Sequence, residues 1–144
     1  MIYTVMTKKA MNIAYEAHKD QMDNSGVPYI FHPIHLAEQM TDEITTIVAL
    51  LHDVVEDTDV TFDELAAKGF SIEVIEALKL LTHVKSVDYM VYVRKIKTNP
   101  IAKSVKLADL EHNSDQTRLD IIDDRAVAWE KKYSKAISIL SDAD

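Results

Sequence analysis

Cysteine is absent from this chain of 144 residues, which excludes disulfide bonds and any thiolate metal site. Glycine occurs twice and proline three times, too seldom for the turn-dense loops of a sandwich or barrel. Basic residues are outnumbered 16 to 24, leaving a net charge of -8. That balance argues against nucleic acid as a partner held by bulk attraction to its phosphates. No apolar segment reaches the roughly 20 residues of a membrane span, so no membrane partner is expected. The opening MIYTVMTKKAMNIAYEAHKD lacks a continuous apolar stretch and a cleavage site, so no signal peptide is expected either. With no disulfide framework to demand an oxidising compartment, a cytoplasmic location is the natural expectation.

What is present is 47% hydrophobic composition, enough for a single core, and no repeat, low-complexity stretch or linker. Residues 1–144 therefore read as one domain. Ala10, Ile13, Ala14 and Ala17 recur at helical spacing and place a first helix from about Thr4 to His18. Asp20–Pro28, with Gly26, is the clearest loop, and a second helix runs from Tyr29 to about Met40. Thr61 with Glu64 has the pattern of a capping box opening a short helix that stops before Gly69. Ser71 caps a helix over Ile72–Leu81. Further helices are expected over Val87–Lys97, halted by Asn99-Pro100, over Ile101–Asn113 and over Asp123–Leu140. No strand-like alternation persists, and the expected architecture is an all-α bundle of about seven or eight helices.

The third helix, expected over Glu43–Val55, contains the informative segment IVALLHDVVED. Ile47, Val48, Ala49, Leu50, Leu51, Val54 and Val55 make it apolar nearly all round, the mark of a core helix. Asp53, Glu56 and Asp57 crowd its end beside His52, and buried carboxylates without partners are costly. A bound cation among them is the simplest resolution. On one continuous helix His52 and Asp53 diverge by about 100°, while Glu56 and Asp57 stack a turn beyond them.

Two ligands do not complete a catalytic centre, and two more candidates stand elsewhere in the chain. His32 lies in PYIFHP at a loop–helix junction, and Asp109 interrupts the apolar turn VKLADL. Alone, His32 reads more readily as a hydrogen-bonded core histidine, and Asp109 as an internal ion-pair partner, for instance of Lys106. Together with His52 and Asp53 they offer two imidazoles and two carboxylates, a set suited to Mn²⁺, Fe²⁺, Co²⁺ or Zn²⁺.

The segments GVPYIFHP (26–33), ALLHDVVEDTD (49–59) and VKLADLEHN (105–113) resemble the HD-domain phosphohydrolases, most nearly the RelA/SpoT-type alarmone hydrolases and their small single-domain relatives. The resemblance extends over roughly residues 10–130. It implies a Mn²⁺ ion held by His32, His52, Asp53 and Asp109, and activation of the attacking water by Glu56 and Asp57. It also puts Asn113 near the nucleotide and implies removal of the 3′-pyrophosphate from guanosine tetra- or pentaphosphate. Two departures accompany it. The alarmone hydrolases usually carry Arg-Lys, the Arg against the guanine base, where this chain has Asp23-Asn24, and after Asn113 it reads Ser-Asp-Gln-Thr-Arg118. HKDQMDNSGVPYIFHP, with Tyr89, Tyr92, Asn99-Pro100 and Arg118, resembles a compact bacterial group of HD proteins. The departure at Asp23-Asn24 opens another nucleoside phosphate as substrate, and the short chain leaves a non-catalytic nucleotide- or metal-binding module as a second alternative.

Among the remaining residues, Lys106 reads as a phosphate contact or as an ion-pair partner. Arg118 reads as a bidentate phosphate clamp, or as a surface arginine near Asp115 or Asp120. Tyr89 and Tyr92 are candidates to stack on a base, with core packing as the alternative. His35 reads as a partly buried structural histidine and Trp129 as a core residue. His18, His83 and His112 have no evident partner. The acidic end, Ser141–Asp144, reads as solvated.

Overall fold

The computed structural model describes residues 1–142, and all structural statements concern those. They form nine α-helices: α1 Val5–His18, α2 Phe31–Glu38, α3 Glu43–Leu51, α4 Val54–Asp57, α5 Phe62–Ala67, α6 Ile72–Leu81, α7 Tyr89–Ile96, α8 Pro100–Asn113 and α9 Asp124–Ser141. A 3₁₀ turn, Gln116–Arg118, joins α8 to α9. The only extended pairing among the described residues is an isolated bridge between Met22 and Pro28, so the all-α architecture is as expected. The last two residues of the acidic end lie outside the described residues.

Helix boundaries follow local chemistry. The hydroxyl of Thr4 accepts from Thr7 N–H to open α1, and the carboxylate of Asp42 does the same for Thr45 at α3. Thr61, Ser71 and Asp123 cap α5, α6 and α9. Asn99 caps α8, whose first position is Pro100, where a missing N–H costs nothing. Gly69, at φ +96°, ends α5 in a left-handed turn. Gly69 N–H then reaches Ala66 O, and Phe70 N–H reaches Leu65 O, with both side chains buried.

Helix α3 is the axis of the core. Residues Thr45 through Leu51 are all buried, and α1, α2, α6 and α8 pack around it. The expected continuous helix to Val55 is not what forms. α3 stops at Leu51, His52 is its C-terminal cap, and Asp53 takes φ -107°, ψ 2° as the cap of the short α4. The apolar pattern runs on through Val54 because that residue enters the same core after the break.

Candidate metal centre

Three helices bring the ionisable side chains together. The junction of α3 and α4 contributes His52 and Asp53, the first turn of α2 contributes His32, and the buried face of α8 contributes Asp109. Ligand atoms of His32, His52 and Asp109 all lie within 4.8 Å of one another, and all three residues are buried. His32 Nε2 is 2.8 Å from Asp109 Oδ1. His52 Nε2 is 2.9 Å from Asp53 Oδ2 and 3.6 Å from Asp109 Oδ1. Neither oxygen is aligned to accept from it, so His52 Nε2 is buried without a hydrogen bond. The break after Leu51 makes this possible, because it relaxes the divergence that a continuous helix would impose on neighbours.

Surrounding groups set each side chain's orientation. His52 Nδ1 donates to Ala49 O at 2.7 Å, which leaves Nε2 with the lone pair in the neutral ring. His32 Nδ1 lies 2.7 Å from His112 Nδ1. Burial and the charge of Arg118 push His112 down to about 4, so it is neutral near pH 7. With the shared proton assigned to His32, its Nε2 is likewise free to ligate. Lys106 Nζ donates to Asp109 Oδ2 at 2.8 Å and Asn113 Nδ2 to Asp109 Oδ1 at 3.2 Å. The Tyr29 hydroxyl donates to Asp53 Oδ2.

The electrostatics call for positive charge at the cluster's centre. Among the side chains themselves, the His52 imidazole takes that charge. Burial opposes its protonation, but Asp53 and Asp109 raise its pKa well above the ordinary value, and the imidazolium in turn outweighs the burial of Asp53 and holds that carboxyl at about 2. Burial opposes ionisation of Asp109 too, and the Lys106 ammonium with the two imidazoles holds it well below the ordinary range. A divalent ion that displaced the His52 proton would meet two imidazole nitrogens and two carboxylates, with His32, His52 and Asp109 buried and Asp53 at the edge, a donor set that fits a borderline metal.

Glu56 and Asp57 sit at the exposed rim rather than in the buried interior anticipated from the apolar run. Glu56 Oε1 accepts from His83 N–H at 2.8 Å, and Asp57 Oδ2 from Gln21 Nε2 at 3.1 Å. Partial burial, together with the negative charge of Asp53, raises both carboxyls above their ordinary values.

Beside the cluster opens a cavity of about 240 Å³ whose lining includes Asp23, His32, Asn113, Arg118, Trp129 and Tyr133. Several expectations are corrected here. Arg118 is not a free clamp: its guanidinium donates to Asp23 Oδ2 at 3.1 Å and to His112 O at 2.8 Å. Asp23 therefore does not leave an unopposed negative charge, since a residue 95 positions away neutralises it. Trp129 is half-buried in the cavity wall instead of the core. Tyr89 is not in that lining, and its ring faces Lys132 at 4.1 Å and Lys106 at 5.8 Å. Tyr92 packs in the core. His35 is exposed and stacks on His112 at 4.1 Å.

Gln21, Tyr29 and Tyr133 were not anticipated. For Tyr29 the signal was its place in PYIFHP, three residues before His32; Gln21 and Tyr133 carried none.

Helical packing around a buried histidine–aspartate cluster is the arrangement of HD-type domains, and residues 10–118 match the family model described as HD domain. The chain belongs to the HD domain family. Its relatives include the guanosine-3′,5′-bis(diphosphate) 3′-pyrophosphohydrolase of Aquifex aeolicus, 37% identical over 57% of this chain and 12% of that protein. The Mus musculus guanosine-3′,5′-bis(diphosphate) 3′-pyrophosphohydrolase MESH1 is 39% identical over 73% of this chain and 65% of its own length. The chain thus spans about an eighth of the first relative and about two thirds of the second. A solved structure described as a metazoan ortholog of SpoT that hydrolyzes ppGpp superposes with a TM-score of 0.76 at 26% identity. It covers 98% of this chain and 88% of its own.

Proposed function

We propose that the protein is a divalent-metal-dependent phosphohydrolase that removes the 3′-pyrophosphate of guanosine tetra- or pentaphosphate, with Mn²⁺ as its metal. The single observation that carries this reading is the buried convergence of His32, His52 and Asp109 within 4.8 Å, with Asp53 at its edge. The names of the relatives supply the substrate.

His32, His52, Asp53 and Asp109 would hold the ion. Such an ion supplies Lewis acidity toward a phosphoryl oxygen and lowers the pKa of water at an open position. Glu56 and Asp57, their basicity raised by burial and by Asp53, take the proton from the attacking water. The His83 N–H fixes one oxygen of Glu56 and leaves the other free for this task. Lys106 and Asn113 hold Asp109 in place, and Lys106 also offsets phosphate charge at the mouth. The cavity beside the cluster takes the nucleoside, with Arg118 and Trp129 in its wall. Tyr89 presents the two lysines at the phosphate end. Residues 1–144 act as one hydrolase domain, read as cytoplasmic, on a small phosphorylated nucleotide.

A panel of guanosine tetraphosphate and nucleoside mono-, di- and triphosphates, each with Mn²⁺, Fe²⁺, Co²⁺ or Zn²⁺, tests the reading. Pyrophosphate release from the tetraphosphate that is fastest with Mn²⁺, and lost together with bound metal in Asp53→Ala, is expected. Full activity in metal-depleted Asp53→Ala would sink it. One observation favours a second reading, another nucleoside phosphate: Asp23 and its bound Arg118 occupy the cavity where the resemblance implies a base-contacting arginine. Turnover of such a nucleotide above that of the tetraphosphate would select it.

A further inference from the structure

Behind Asp57 lies a layer of side chains that the hydrolytic reading leaves unused. His18, the last residue of α1, is fully buried. Its Nδ1 is 2.8 Å from Gln21 Oε1, while its Nε2 has no hydrogen-bond partner. Gln21 Nε2 donates to Asp57 Oδ2 at 3.1 Å. The Gln21 carbonyl accepts from Tyr29 N–H at 2.8 Å, and the Tyr29 hydroxyl donates to Asp53. The rings of His18 and Tyr29 are 4.9 Å apart, so the layer is continuous.

An amide can present either end to a neighbour, and the surrounding network decides which. Against an ionised Asp57 only the nitrogen is acceptable, since oxygen facing oxygen repels. That choice turns Gln21 Oε1 onto His18, and an acceptor there requires the imidazole proton on Nδ1. The opposite tautomer would set two lone pairs against each other and favour rotation of the amide away from Asp57. Buried polar atoms nearly always find partners, yet His18 Nε2 goes without one, and the bond at Nδ1 is what the ring keeps.

We infer that His18 is a positioning residue for the proton acceptor: acting through the Gln21 amide, it holds the Asp57 carboxylate in one orientation as a hydrogen-bond acceptor. This rests on the reading of Asp57 as part of the hydrolytic machinery. No signal in the sequence beyond the three-residue spacing of His18 and Gln21 pointed to it, because the two meet Asp57 only after α1 has packed near α4.

The test compares His18→Leu, which removes the donor at similar volume, with His18→Asn, whose amide nitrogen restores an N–H near Nδ1. In the full-length, Mn²⁺-loaded chain with guanosine tetraphosphate, His18→Leu should lower kcat by about tenfold or more with KM little changed. His18→Asn should recover most of the loss, with metal content equal in both. A readout independent of turnover is the titration of the Asp57 carboxyl by carbon NMR in the chain loaded with diamagnetic Zn²⁺. Asp53, Glu56, Tyr29, His18 and His52 are the charged or titratable groups that face it besides the Gln21 bond. Both variants remove the His18 ring, so the difference between them reads the donor alone, and the Leu variant should titrate higher. Gln21→Leu, with His18 untouched, should reproduce the kinetic defect even where a His18 variant folds poorly. Identical Asp57 titration in the Leu and Asn variants, or wild-type turnover in Gln21→Leu with an unshifted Asp57, overturns the inference. A shifted titration with unchanged turnover supports the relay and removes Asp57 from the reaction instead.

Discussion

Glu56, at the rim of the cluster, carries a carboxylate that partial burial disfavours. Burial holds its carboxyl above the ordinary value, set against the His83 N–H bond and reinforced by the charges of Asp53 and Asp57. An acid whose folded pKa exceeds its unfolded one loses stability as pH rises through that interval. Glu56→Gln keeps an acceptor for His83 and discards the charge, so it should raise the melting temperature at pH 7 while lowering kcat about 100-fold. Calorimetry, turnover and elemental analysis on one preparation check this, and a fall in both stability and bound metal would contradict it. Asp23 has the opposite sign. Burial pushes it up, but bonds from Ser25, Val27 and Arg118 outweigh that and lower its pKa. Its contribution is complete above the unfolded value near ~4 and is lost as pH falls below it. Asp23→Ala should therefore melt earlier at neutral pH, with the gap closing in acid. Both acids stood out in the sequence, yet the rise at Glu56 comes first from burial that only the packed fold creates, while the fall at Asp23 comes from the nearby Ser25 and Val27 with Arg118 added from 95 positions away.

At the scale of elements, α3 carries the greatest share of the packing. Leu50 is fully buried in the helix that α1, α2, α6 and α8 surround, so Leu50→Ala should cost about 2–5 kcal/mol in urea unfolding. Asp42→Ala removes only the cap and should cost about 1 kcal/mol, leaving metal content intact. A larger loss from Asp42 than from Leu50 would reverse this ranking. Caps were legible at Thr61 and Ser71 because each acts on a backbone N–H three residues away. The break at His52-Asp53 was not. Hydrophobic periodicity records which side chains are apolar, and Val54 is buried whether or not the backbone turns before it. The turn itself is a φ, ψ choice at Asp53, stabilised by Tyr29 and His52 from the cluster it helps to build.

For the molecule as a whole, metal and fold should be linked. An ion that binds only the folded chain at a free concentration of 100 Kd adds about 2.7 kcal/mol. Chelation should lower the melting temperature and Mn²⁺ should restore it, while Asp53→Ala should show neither response. A chelated protein that melts where the loaded one does would detach the ion from the folded cluster. No described helix is long and apolar enough to cross a membrane.

Composition, capping residues and the spacing of apolar side chains determined by themselves that this chain would be helical and where nearly every helix would begin. These are interactions within a few residues, or averages over the whole chain. The same local reading picked out His32, His52, Asp53 and Asp109, because charged groups inside apolar runs are costly anywhere. Only the tertiary structure decided that His52 and Asp53 converge across a helix break, that Arg118 answers Asp23, and that His18 reaches Asp57 through Gln21. Each depends on where separate helices come to rest in the packed core, and that geometry has no local signature.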